Sequence, residues 1–86
     1  MSQKKFTHPV RLHFEQFGTT REVSDVHQAL DCMMYGWPEN RGSAHGQALD
    51  VCLKVLAGQR SGREAEQAFI KAATEAGILL QSQKPR

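Results

Sequence analysis

Four histidines, two cysteines and nine carboxylates carry most of the chemistry this 86-residue chain could perform. His27 and Asp31 stand four apart and share a helical face. They are two metal ligands at most, where zinc needs three or four from the protein, and His8, His13 and His45 belong to other elements. Cys32 and Cys52 have no C-x-x-C spacing and read as reduced thiols packed like small apolar side chains. Gly42-Ser43-Ala44-His45-Gly46 superficially resembles a nucleophile elbow, but its glycines sit at the wrong offsets and no strand precedes the serine. Ser43, Ser24 and Ser61 are instead expected as helix caps. Glu64, Glu66 and Glu75 are expected on the solvated outer face of a helix, whereas acid–base work needs carboxylates in distinct, partly dry surroundings. The reading is therefore no metal, no cofactor and no enzyme.

Binding residues are easier to nominate. The stretch from Trp37 to His45 holds the chain's one tryptophan, then Arg41 and His45. Trp and Arg dominate binding hot spots, and loops on rigid scaffolds carry binding residues. Trp37, Arg41 and His45 are thus one candidate surface. The competing reading makes Trp37 a core plug with Arg41 lying over it. Arg60-Ser61-Gly62-Arg63 forms a second candidate, an anion site at a helix N-terminus, although no Gly-Lys-Ser/Thr follows as a P-loop requires. The plainer reading is a connecting turn.

Those residues must be positioned by a short series of elements. Val10, Leu12 and Phe14 alternate with Arg11, His13 and Glu15, the period of a half-buried strand, and Pro9 sits at its start. Gln16-Phe17-Gly18 reads as a turn, and the β-branched run Thr19–Val23 as the returning strand of a hairpin. Ser24 is expected to cap a first helix whose stripe is Val26, Ala29, Leu30, Met33, Met34 and Trp37, ended by Gly36 and Pro38. A second helix runs from near Ser43 to about Ala57 and is apolar around more than half its circumference. Gly58 caps its end. Ser61 and Glu64 have capping-box spacing, and Ala65, Ala68, Phe69, Ala72, Ala73 and Ala76 form the stripe of a third helix. Gly77-Ile78 ends it, and Ile78-Leu79-Leu80 is expected as a last strand.

The fold class is a small single α+β domain in the order β-β-α-α-α-β, with a three-stranded, mostly antiparallel sheet packed against three helices. The expected core is Leu12, Phe14, Leu30, Met33, Leu49, Cys52, Leu56, Phe69, Ala72 and Ile78. The expected domain is 6–81, with flexible tails at 1–5 and 82–86.

Composition narrows the function classes. The net charge of +2 comes from the termini: removing Lys4, Lys5, Lys84 and Arg86 leaves seven basic against nine acidic residues. The body is formally −2, with no clustered basic patch of the nucleic-acid-binding kind. Two helices joined by a short glycine-containing turn suggest a helix-turn-helix pair. Arg63, Glu64, Glu66, Lys71 and Glu75 make its second helix net −1, which repels phosphate. Weak nucleic-acid binding is therefore the alternative reading and is not favoured. No apolar run approaches the ~20 residues of a membrane span, and the lack of a secretory leader together with two thiols points to the cytoplasm. The favoured function is a small non-enzymatic interaction or regulatory module that binds an unidentified protein. The broad apolar face of the second helix and the unpaired sheet edges add self-association, as a symmetric dimer.

From Phe6 to Leu80 the chain resembles a family of short, uncharacterised proteins of rhizobia and related alphaproteobacteria, a domain of unknown function. The matching residues are Pro9-Val10-Arg11-Leu12, Val23-Ser24, Ala29-Leu30, Trp37-Pro38, Arg41-Gly42, Ala48, Cys52, Leu56, Gly58, Ala68-Phe69-Ile70, Ala72-Ala73 and Glu75-Ala76-Gly77-Ile78. The resemblance implies a bacterial cytoplasmic protein without an assigned activity and supplies no catalytic residues.

Overall fold

The structure is a computed structural model that describes residues 4–14, 17–37 and 42–80. Strands β1 (Lys5–Phe14) and β2 (Thr19–Asp25) are followed by helices α1 (Val26–Tyr35), α2 (Ser43–Leu56) and α3 (Gly62–Ala76). β1 and β2 pair antiparallel, in regular register from Val10↔Val23 to Phe14↔Thr19. Val10, Leu12, Phe14 and Val23 are buried on one face, and Arg11 and Glu22 pair on the other, as the alternation requires.

Two expectations about the sheet are corrected. Among the described residues the sheet has two strands, not three. Ile78–Leu80 adds a single antiparallel bridge, Leu12↔Leu79, on the far side of β1. The Ile78 N–H is spent on the α3 cap at Ala73 O, so only the Ile78 carbonyl and the Leu80 N–H are directed to β1. The N-terminal boundary also moves. Lys5 opposes Asp25, and the Lys4 carbonyl accepts from Val26 N–H at 2.8 Å, so the ordered chain begins before Phe6. Residues 1–3 and 82–86 of the expected tails lie outside the described residues. Between Lys5 and Val10 the register breaks. Pro9 lies in that stretch, and a residue without an N–H cannot carry a ladder bond.

The helices follow their stripes, with local corrections. The N-cap of α1 is Asp25, not Ser24: its Oδ1 accepts from Gln28 N–H at 2.8 Å. Ser24 remains in β2, where Gln28 Oε1 accepts from its N–H, a capping-box exchange displaced by one residue. On α1, Cys32 is fully buried and Met34 is exposed, since the helix leans toward the Cys32 flank. Ser61 caps α3 as expected, accepting from Glu64 N–H. Gly58 and Gly77 take φ of +83° and +73°. Each closes a Schellman motif, through Gln59 N–H to Lys54 O and Ile78 N–H to Ala73 O.

The core centres on Phe69, whose ring meets Phe6 at 6.0 Å and Trp37 at 5.7 Å between centroids. Leu12, Phe14, Leu30, Met33, Cys52, Ala72 and Ile78 join it, while Leu49 and Leu56 are only half-buried because they lie on a flank of α2. Phe69→Ala should cost about 3–5 kcal/mol, the usual range for removing a buried phenyl ring. Urea unfolding monitored by circular dichroism checks this, and an unchanged midpoint would displace Phe69 from the centre of the core.

Candidate functional site

The first nominated surface turns inward. Trp37 is 6% exposed and His45 7%. Their rings tilt against one another at 5.5 Å, and His45 Nε2 lies 3.1 Å from the Met33 carbonyl. A carbonyl only accepts, so Nε2 carries the proton and donates. The two rings join the end of α1 to the start of α2 and belong to the packed interior. Trp37 Nε1 is buried and has no acceptor among the described residues. Arg41 lies outside the described residues.

The second nomination is occupied by the protein itself. Arg60 Nη1 donates to Glu64 Oε1 at 2.8 Å, and Ser61 Oγ takes the Glu64 N–H. Glu64 thus supplies the negative charge that the α3 N-terminus and Arg60 would offer an anion. Gly62 is buried and Arg63 exposed.

Two carboxylates have roles the sequence reading missed. Glu66 is expected in solvent, yet it is 8% exposed, and its Oε1 accepts from Thr7 N–H at 2.7 Å. That donor lies in the stretch where the β1 register breaks. Glu66 stands three before Phe69 and four after Gly62, which places it on the inward stripe; helical offset was the available signal. Glu75 reaches from α3 to α2, where its Oε1 accepts from Ala44 N–H at 3.1 Å. The N-cap of α2 is Gly42 with no side-chain cap of its own, so Ser43 is not the cap but the first helical residue. A Cβ at position 42 would overlap the Glu75 carboxylate. Glycine leaves room for that carboxylate to reach the Ala44 N–H, and the cap is delivered from another helix.

Both thiols are inert by position. Burial pushes Cys52 up to about 11 and also raises Cys32, against a smaller opposing effect of Arg21. Among the described residues no three His, Cys, Asp or Glu side chains gather as metal ligands, and no helix is long and apolar enough to cross a membrane.

A groove of about 750 Å³ runs along the α2–α3 hairpin. Ala44 and Val51 of α2 and Ala68 of α3 contribute apolar surface, and Gln47, Lys71 and Glu75 contribute polar groups. The alanines create the concavity by being small. Lys71 has no ion-pair partner among the described residues, where the pairs are Arg11–Glu22, Lys54–Asp50 and Arg60–Glu64.

Residues 8–80 match the family described as protein of unknown function, DUF982, and the chain belongs to that family. It is similar to the NMR structure of the Agrobacterium tumefaciens protein Atu1219, with 31% identity and a TM-score of 0.76, over 98% of this chain and 83% of that one. No curated protein matches. The resemblance read from the sequence thus holds at the level of the family. Several of its residues now have structural reasons: Gly42 and Glu75 are one contact, and Phe69 and Trp37 another.

Two measurements test this account. Gly42→Ala should destabilise the protein, and the loss should shrink in a Glu75→Ala background, giving a coupling of about 0.5–3 kcal/mol in a double-mutant cycle. Additive losses would separate the two residues. For the thiols, the unfolded chain releases the Cys52 proton near the ordinary value of 9, and the folded protein holds it to about 11. This contribution to stability is complete below pH 9 and disappears as pH rises through 11. Cys52→Ala should flatten the stability profile between those limits.

Proposed function

We propose that this member of the DUF982 family is a non-enzymatic interaction module that self-associates through the α2–α3 groove. One observation carries the reading. The groove pairs an apolar floor with one cation, Lys71, and one anion, Glu75, spaced four apart on α3. A two-fold axis that sets α3 antiparallel to its copy brings each Lys71 against the other protomer's Glu75, so one surface supplies both complementary halves. Support also comes from the use of the other polar groups. His45, Glu66 and Ser61 all accept from or donate to the chain's own backbone. The helix-turn-helix alternative gains nothing from the structure, because α3 presents Glu64 bound to Arg60 at the end that would approach phosphates.

Sedimentation velocity tests the proposal. Wild-type protein should show a concentration-dependent shift toward twice the monomer mass at tens of micromolar. Lys71→Glu, which sets like charges together, and Ala68→Arg, which fills the groove, should each return the monomer with circular dichroism unchanged. A wild-type monomer throughout that range would overturn the reading.

A further inference from the structure

Strand β2 leaves its outer edge unpartnered among the described residues, and hydrogen-bond parity identifies its free amides. His13 N–H donates to Ile78 O at 2.8 Å, and Leu80 N–H to Arg11 O at 2.9 Å. Residues 11 and 13 of β1 therefore aim their main-chain groups away from β2. Alternation turns those of Val10, Leu12 and Phe14 toward β2, and their partners Val23, Arg21 and Thr19 spend theirs in return. Thr20, Glu22 and Ser24 are left facing outward. Gln28 Oε1 already accepts from Ser24 N–H at 2.8 Å. The open positions are Thr20 and Glu22.

We propose that this edge is a strand-addition site for an extended partner segment that carries a carboxylate opposite Arg21. Arg21 opposes buried Leu12, so it lies on the helix side of the sheet, yet it is exposed and has no ion-pair partner among the described residues. Its Nη1 lies beside Gly36, at the C-terminal end of α1, where the last carbonyls favour a cation. The guanidinium thus lies over the end of α1, on the helix side of the sheet. On an added antiparallel strand, the residue directly opposite shares its face and meets that charge. The residues opposite Thr20 and Glu22 fall on the other face, where Arg11 already stands 3.9 Å from Glu22, and neutral side chains suit them.

A second copy fits this edge poorly. Opposed residues share a face, so a two-fold pairing of β2 with itself must be centred on a residue. Centring on Arg21 uses all four free groups but sets Arg21 on Arg21. Centring on Glu22 sets Glu22 on Glu22 and calls on Ser24 N–H, which Gln28 holds. Centring on Thr20 leaves Glu22 opposite Gly18, outside the strand. The edge therefore selects a different chain, one with acid where this one has Arg21.

The probe is a blocked heptapeptide, Thr-Val-Thr-Asp-Thr-Val-Thr, titrated into ¹⁵N-labelled full-length protein. The Thr20 and Glu22 amides should shift and exchange more slowly with solvent. The same peptide with a central lysine should bind roughly fivefold more weakly, the range of cross-strand charge pairs. Arg21→Glu should reverse that preference, and Arg21→Gln should abolish it with the spectrum otherwise intact. The proposal falls if Thr20 and Glu22 do not respond at millimolar peptide, or if both peptides bind equally. It falls too if these amides shift with protein concentration alone, which would place a second copy on the edge.

Discussion

A backbone N–H partly withdrawn from water needs an acceptor, and at two places in this protein a carboxylate from a distant helix provides it. The register break in β1 leaves the Thr7 N–H without a ladder partner, and α2 begins at a glycine that has no side chain to cap it. Helix α3 answers both, with Glu66 at its start and Glu75 at its end. A fully buried unsatisfied donor costs about 1–3 kcal/mol, and these part-buried ones cost less. The two carboxylates therefore fix α3 against β1 and against α2 at points roughly two and a half turns apart. Phe69 lies between them, against Phe6 and Trp37. The orientation of the third helix, and with it the α2–α3 groove, depends on this arrangement.

Most of the architecture was legible because period and punctuation are local. The stripes of α1 and α3, the alternation of β1 and the glycines at 58 and 77 each act within a few residues, and apart from Met34, which is exposed, they appear in the structure. The misses share a different cause. Glu66 and Glu75 look like solvated charges on α3 because their acceptor roles are decided by residues 59 and 31 positions away. Gly42 looks like loop punctuation for the same reason. Asp25 displaces Ser24 as a cap because either residue type serves, and only the place where the ladder ends distinguishes them. Ile78–Leu80 has strand composition, and whether it forms a strand or one bridge depends on how much of β1 it can reach.

The candidate site was less legible than the fold. Trp37 and Arg41 carry hot-spot residue types, but residue type is shared by anchors in a core and anchors in an interface. Trp37 continues the α1 stripe onto Phe69 and His45, and that continuity placed it inside. The Arg60–Arg63 turn has the donors of an anion site, and the capping glutamate that marks the helix start also neutralises it. In both cases a sequence signal for binding is also a signal for local structure, and packing decides between them.

The surfaces that remain open are defined by what the interior leaves unused. Small residues are needed where α2 and α3 approach, and the same smallness at Ala44 and Ala68 leaves a trough on their outer side. Strand β1 is bordered by β2 on one side and, around Leu12, by the Leu79 bridge on the other, while the outer edge of β2 is open among the described residues. Exposed edges invite uncontrolled pairing, and this one is short and partly closed by Gln28. A charge that lies at the edge without a partner repels its own copy and attracts an opposite one. Protection against self-pairing and selectivity for an acidic strand are then the same physical property, carried by Arg21, while self-association is left to the helical side of the molecule.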